Sequence, residues 1–301
     1  MGTAGERLAA FASTLEWENL PPALRAQLKL HVLDTIGVMF AGLDTPEGRA
    51  AQAAAARWGS GDEATAVGLD GRLPAPSAAF LNALHARIYT FDDTYEPGTL
   101  HPGSAVIAAA LAAAESVRAT GKLFLSAVAA GYEVATRVAA AVSPGHYACG
   151  FHNTGTCNAF GAAAAVARVF ALDAGALAET LGLAGATAAG MRQHQLDGSM
   201  FDSAFHGARA AQCGVMVGEM RMAGLRGPKA ILDGPMGFCR VMAPRGADAS
   251  RLDRDLGEAR WTCVTVTASI IARSRGSRST RSASRSRYRT ARAYEARMTQ
   301  R

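Results

Sequence analysis

The strongest constraint on the fold is the spacing of apolar residues, which recur at helical intervals between Gly and Pro stops from residue 5 to about residue 240. This period is typical of amphipathic helices that bury one face. The pattern therefore predicts an all-α body, with only a short β-like pair near 64–73 around a turn at Asp70-Gly71. The main predicted helices span residues 5–20, 24–42, 48–58, 105–119, 123–142, 175–190 and 204–224.

The most polar interruption of this pattern is YTFDDTYEPGTLHPGS, residues 89–104. It contains two adjacent carboxylates, Asp92 and Asp93, and one histidine, His101. Two Pro-Gly pairs indicate a loop, and Ser104 is placed to cap the alanine-rich helix that follows. A base, nearby acids and an anion-attracting helix N-terminus suit proton chemistry on a carboxylate. The alternative is a solvated loop between two helices.

Two further polar loops carry histidines and adjoin helices rich in small residues. His152 and Thr154 precede a helix with four consecutive alanines. The third loop, 191–203, leads into a helix with His206 and Arg209 near its start. Histidine can donate or accept a proton near neutral pH, which makes these loops candidates for acid–base chemistry. For each histidine the alternative is a structural hydrogen bond.

The helix over 24–42 is apolar nearly all round from Val32 to Phe40, which predicts deep burial. It also carries His31 and Asp34, which we interpret as a capped or surface pair. Three other histidines are interpreted as structural: His85, His146 and His194.

Several classes of protein are disfavoured by the motifs that the sequence lacks. We find no Gly-rich nucleotide-binding loop, no H-E-x-x-H and no G-x-S-x-G. The five cysteines are odd in number and never form C-x-x-C, so neither a disulfide framework nor a metal site is predicted. No apolar stretch is predicted to span a membrane, and no signal peptide is recognised. These features predict a cytoplasmic protein, and they give no sign of a nucleotide cofactor or a zinc site.

Four passages carry a family resemblance: LDTIGVMFAG at 33–42, FDDTYEPGTLHPGS at 91–104, GFHNTGTCNAFGAAAAVARVFALD at 150–173, and HGARAAQCGVMVGEMRMAGLRGPKAILDGPMGF at 206–238. In this order they resemble the MmgE/PrpD family, which includes 2-methylcitrate dehydratase, cis-aconitate decarboxylase and iminodisuccinate epimerase. The resemblance implies a large helical domain, here residues 5–262, followed by a smaller α/β lid domain. It also implies a homodimer, catalysis without metal or nucleotide, and small di- or tricarboxylate substrates.

The resemblance also implies site residues. The family's acidic cluster and its loop histidines fall on Asp92, Asp93, His101 and His152, which we predict to be catalytic and to line one pocket. We assign substrate binding to four further residues: Thr154, Ser203, His206 and Arg209. The chain departs from the dehydratase and decarboxylase branches at Thr90, where they often carry an acid, and at Ser203, where they tend to carry a lysine.

The predicted function is a dehydratase-like lyase that removes a proton next to a carboxylate. The alternatives are an epimerase, isomerase or decarboxylase of the same family, and a non-catalytic helical dimerisation module.

The C-terminal residues 263–301 do not resemble the family's lid domain. Residues 261–301 hold ten arginines and one glutamate, a balance of +9, whereas residues 1–260 carry a balance of −3. The Arg/Ser-rich composition has almost nothing apolar to bury and predicts disorder. We favour a frameshift or truncation that removes the lid domain, with weak residual catalysis at an open site. The alternative is a basic arm that binds nucleic acid.

Overall fold

The computed structural model describes residues 2–257 and 261–267. These ranges form an all-α body, which confirms the predicted fold class. The α-helices within them are α1 (Ala4–Ser13), α2 (Pro22–Gly42), α3 (Pro46–Ala55), α4 (Ala75–Arg87), α5 (Gly103–Ser116), α6 (Gly121–Val142), α7 (Gly145–Ala148), α8 (Asn153–Val169), α9 (Ala174–Gly185), α10 (Gln193–Asp197), α11 (Met200–Met222) and α12 (Phe238–Met242). In the same ranges, β pairing is limited to isolated bridges, one of which joins Ala64 to Leu73 within the predicted β-like pair.

The largest errors in the predicted helix boundaries lie at the C-terminal ends of α1 and α9. Helix α1 ends at Ser13 instead of residue 20, and α9 ends at Gly185 instead of residue 190. Tertiary contact explains the first error, because the buried Arg168 Nε donates to the Leu15 carbonyl over 2.8 Å just beyond the end of α1. The third predicted loop is also wrong, since α10 and the start of α11 occupy most of residues 191–203.

Helix α2 does not have the burial that its composition predicts. It turns polar residues inward, with His31, Asp34 and Thr35 all buried. Val38 and Met39 are buried as predicted, but Leu33 is 61% exposed and Phe40 is 56% exposed, so the prediction of burial all round is wrong. A helix that is apolar nearly all round carries no periodic signal to indicate which face meets the core.

Helix α8 lies at the centre of the body, and every one of its residues is buried. It packs against α5, α6, α9 and α11. Small residues allow the closest of these contacts: a Cβ added to Gly131 of α6 would lie 2.8 Å from the Gly161 carbonyl of α8. Because the two backbones meet at these glycines, the N-terminus of α8 is held at a fixed position beside its neighbours.

Helix α6 is long and apolar enough to cross a membrane, contrary to the sequence prediction that no stretch would be. Its most apolar window is 83% buried inside the protein, as expected for a core helix. The helix also contains a buried ion pair, in which Arg137 Nε lies 2.8 Å from Glu133 Oε2. Arg137 donates in addition to the Arg254 carbonyl, so this side of α6 contacts protein.

Residues 263–267 fall in the predicted tail, yet they lie against the body. Thr267 and Thr94 exchange two backbone hydrogen bonds of 2.9 and 3.0 Å, and Val266 is buried. The rest of the predicted tail, 268–301, lies outside the described residues, so its disorder stays a prediction.

Candidate active site

Asp93 is the most fully hydrogen-bonded acid of the central loop. Its Oδ1 accepts from the Gly103 amide at 2.7 Å, and its Oδ2 accepts from the Tyr132 hydroxyl at 2.5 Å. His31 Nδ1 lies 3.0 Å from the same Oδ2. Asp93 therefore caps α5, the role that the sequence predicted for Ser104, whose Oγ is buried without a hydrogen-bond partner among the described residues.

The placement of His31 overturns its interpretation as a capped or surface residue. Its side chain is 1% exposed and reaches from α2 to the central loop. Gln27 Nε2 lies 3.2 Å from His31 Nε2, and an amide nitrogen only donates. His31 Nε2 therefore accepts from Gln27, and Nδ1 is turned to the Asp93 carboxylate.

Asp92 is turned to a different partner. Its Oδ1 accepts from Arg87 Nη1 at 2.5 Å, and both side chains are buried. The pairing is incomplete, because Asp92 Oδ2 and Arg87 Nε have no hydrogen-bond partner within the described part of the chain. A buried ion pair with unused polar atoms is costly unless a ligand or water completes it.

His101 is held beside both acids. Its Nδ1 lies 3.0 Å from the Asp93 carbonyl oxygen and 3.5 Å from Asp92 Oδ1. Burial lowers the pKa of His101, and the nearby Arg87 charge lowers it further, against the opposing effect of Asp92 and Asp93. A carbonyl oxygen only accepts, so the Nδ1–H donates to it and Nε2 carries the lone pair of the neutral ring.

Three histidines form a second cluster around the N-terminus of α8. His152 Nδ1 lies 2.9 Å from His206 Nδ1. The His194 ring is 5.0 Å from the His152 ring and 5.5 Å from the His206 ring, measured between centroids. His194 was interpreted as structural without a site role, and the structure instead places it against two predicted site histidines.

Burial lowers the pKa of two histidines in this second cluster, His152 and His206. It lowers the pKa of His152 to about 2, with smaller contributions from Arg87 and the neighbouring histidines. Burial also lowers the pKa of His206, against the opposing effect of Asp202. Neutral imidazoles can each donate at one nitrogen and accept at the other, which the short Nδ1–Nδ1 contact requires.

The two clusters meet where α5 and α8 begin. The His101 amide donates to Thr154 Oγ1 at 3.3 Å, and Asn158 Nδ2 donates to the His101 carbonyl at 2.8 Å. The first turns of α8 thus hold the backbone of His101 two residues before α5. Asp92, Asp93, His101 and His152 are therefore brought to one region of the molecule.

The predicted substrate-binding residues surround the same region but differ in their contacts. Ser203 Oγ is buried without a hydrogen-bond partner in the described ranges, and His206 belongs to the histidine cluster. Arg209 donates to the carbonyls of Thr187 and Ala189, so two of its nitrogens serve the backbone between α9 and α10. Its assignment to substrate stays a prediction.

Comparison with known proteins identifies the family. The model of the MmgE/PrpD N-terminal domain matches residues 6–249.

The chain belongs to the MmgE/PrpD family.

Two curated relatives are both named cis-aconitate decarboxylase. The Homo sapiens protein is 30% identical over 216 residues, which cover 70% of this chain and 44% of that protein. The Mus musculus protein is 28% identical over 245 residues, which cover 77% of this chain and 48% of that protein. The chain thus spans about half the length of the curated relatives it matches.

In this MmgE/PrpD chain, sequence reasoning missed three residues of the acidic cluster: His31, Arg87 and Tyr132. Each is a polar side chain on a helix that otherwise reads as apolar core. One signal was available, because Arg87 is the last residue of α4 and stands only five positions before Asp92. His31 and Tyr132 offered no comparable signal, because their partner lies far away in the sequence.

Proposed function

We propose that this chain carries the acid–base site of a dehydratase- or decarboxylase-type lyase that acts on a small di- or tricarboxylate. The observation that carries the proposal is the environment of His101. Its Nδ1 is engaged by the Asp93 carbonyl, so Nε2 is the basic nitrogen of the neutral ring. The lowered pKa keeps that nitrogen unprotonated near neutral pH.

In the proposed reaction, His101 Nε2 removes a proton from the carbon next to a substrate carboxylate. The resulting imidazolium can return the proton to a leaving hydroxyl, which gives loss of water. Delivery of a proton to the opposite face of the same carbon by a second donor gives epimerisation. In a decarboxylation no C–H proton is removed: the C–C bond to the carboxylate breaks, carbon dioxide leaves, and the carbon that keeps the electron pair takes one proton, with the imidazolium form of His101 as the donor. Asp92, 3.5 Å from His101 Nδ1, and Asp93 would stabilise the imidazolium.

Substrate carboxylates would be held by buried polar groups that have no hydrogen-bond partner in the described part of the chain. Arg87 Nε is a buried donor without a partner among the described residues, and Ser104 and Ser203 each present a buried, unpartnered hydroxyl. The N-terminus of α8 adds backbone donors, since His152 makes no side-chain cap there. Because burial keeps His152 neutral, we assign it hydrogen bonding to substrate instead of delivery of a proton.

The test is proton exchange followed by NMR. Purified protein is incubated in D₂O with a panel of small di- and tricarboxylates, including cis-aconitate, citrate and methylcitrate. Incorporation of deuterium next to a carboxylate supports the proposal, and the product identifies the reaction as dehydration, decarboxylation or epimerisation. Exchange that is absent with every compound, or that persists unchanged in His101→Ala, would contradict it.

We also propose that two copies of the chain associate through α2. The motivation is the exposed apolar stripe of Leu33 and Phe40, seven residues apart on one helix face. Light scattering of the double variant Leu33→Asp/Phe40→Asp is expected to show a monomer where the wild type is a dimer. A wild-type monomer would contradict this part of the proposal.

A further inference from the structure

We propose that His194, Asp202 and His206 form a binding site for a divalent transition-metal ion such as Zn²⁺. Each side chain offers one ligand atom, and within the described residues these three atoms all lie within 4.8 Å of one another. The inference does not depend on the proposed lyase function. It also departs from the sequence prediction, which expected no metal site.

The distances suit a small ion with short bonds. His206 Nε2 lies 3.3 Å from Asp202 Oδ2. Zn²⁺ binds histidine nitrogen and carboxylate oxygen at ~2.0–2.2 Å, so two ligands of a tetrahedral site are ~3.3–3.5 Å apart. The His206 and Asp202 atoms are therefore already spaced to bind one ion, and the ligand atom of His194 lies within 4.8 Å of both.

The ring nitrogens are oriented by further contacts, as metal-binding histidines usually are. His206 presents Nε2 to Asp202 while its Nδ1 contacts His152 Nδ1 at 2.9 Å. His194 Nδ1 lies 2.9 Å from the Met191 carbonyl, to which it can donate, and this leaves the lone pair of the neutral ring on Nε2. Hydrogen bonds of this kind select the tautomer and raise the basicity of the ligating nitrogen.

The chemistry of the donor set selects the class of ion. Two imidazoles and one carboxylate suit Zn²⁺ and its first-row neighbours, whereas Mg²⁺ and Ca²⁺ prefer oxygen ligands. Three protein ligands leave a fourth position for water or for a substrate carboxylate. Asp202 is 44% exposed, which gives the ion a path from solvent to the two buried histidines.

The experiment is titration of the purified chain with Co²⁺ and Zn²⁺. Binding of one Co²⁺ per chain with the intense visible absorption of tetrahedral coordination, displaced by Zn²⁺, is the expected result. Asp202→Asn is the decisive variant, because its partly exposed side chain can be replaced without leaving a buried charge. His152→Gln removes only an orienting contact and should weaken binding by ~10–100-fold.

Asp197→Asn provides a matched control, since it makes the same change in α10 at a residue bonded to Gln193 and outside the three ligands. It should bind Co²⁺ like the wild type, whereas Asp202→Asn should lose more affinity than His152→Gln. A wild type that binds no metal, unchanged binding in Asp202→Asn, or the near-ultraviolet charge transfer of a Co²⁺–thiolate bond would overturn the proposal.

Discussion

The acidic cluster around Asp93 and the histidine cluster around His152 meet at the starts of α5 and α8, yet they differ in how their polar groups are satisfied. Asp93 accepts from a backbone amide and a tyrosine and lies beside His31, and it contacts elements that are distant in the chain. The histidine cluster instead pairs the buried rings of His152 and His206 with each other, and the charges that act on it, such as Asp202 and Arg87, lie outside the three rings. The comparison indicates that carboxylates are concentrated where His101 is to be polarised, whereas imidazole rings pack against each other where His152 is buried.

The largest expected effect comes from removing the proposed base. His101→Ala is expected to reduce turnover by ~10²–10⁴-fold, the usual contribution of one general acid or base. His101→Asn is the matched variant, because its amide can still donate to the Asp93 carbonyl while it lacks a basic nitrogen. Both variants should remain folded by circular dichroism. Near wild-type turnover in either variant would show that His101 is not the general base.

Breaking the acidic cluster is expected to cost the most stability. Asp93→Ala leaves the Gly103 amide and the Tyr132 hydroxyl without their acceptor and should lower the free energy of unfolding by about 3–5 kcal/mol. Tyr132→Phe removes one of these bonds and should cost about 1–3 kcal/mol. Urea unfolding monitors both variants. An Asp93→Ala loss no larger than that of Tyr132→Phe would mean that Asp93 is not the centre of its cluster.

The burial of His152 in the histidine cluster should make the free energy of unfolding depend on pH. The pKa of His152 is about 2 in the folded chain and ~6.5 when unfolded, so the unfolded state takes up a proton as pH falls below ~6.5. Protonation of His152 stabilises the unfolded state only below that pH. It should lower the free energy of unfolding by about 1.4 kcal/mol at pH ~5.5 relative to pH ~7.5. His152→Gln should reduce the measured difference by that amount. An identical pH dependence in the variant would show that His152 is not buried neutral.

The smallest effect is expected at Ser104, beside both clusters. Its buried hydroxyl has no partner among the described residues, so Ser104→Ala should change the free energy of unfolding by less than ~0.5–1 kcal/mol, with stabilisation favoured by the helix propensity of alanine. If the hydroxyl contacts substrate, the Michaelis constant should rise although stability does not fall. A loss of stability above this range would indicate a hydrogen bond within the folded chain.

Much of the fold and part of the site could be predicted from local sequence. Apolar spacing and Gly/Pro stops predict a helical body, because helix periodicity depends on neighbours within a few residues. Asp92, Asp93 and His101 could be selected because they share one loop. The ends of α1 and α9 could not, because contacts such as Arg168 to the Leu15 carbonyl are made across the fold.

The sequence by itself therefore determined the all-α class, the family and the central polar loop with Asp92, Asp93 and His101, but not the third loop, which is mostly helical. Tertiary structure alone decided which helical side chains complete the site, with His31 and Tyr132 reaching Asp93 from α2 and α6. It also decided that α2 turns His31 inward and Phe40 outward, against their hydropathy. The physical reason is that a buried charge is hydrogen-bonded by whichever donors the packed helices bring to it. Separation along the sequence does not indicate which donors will be close in space.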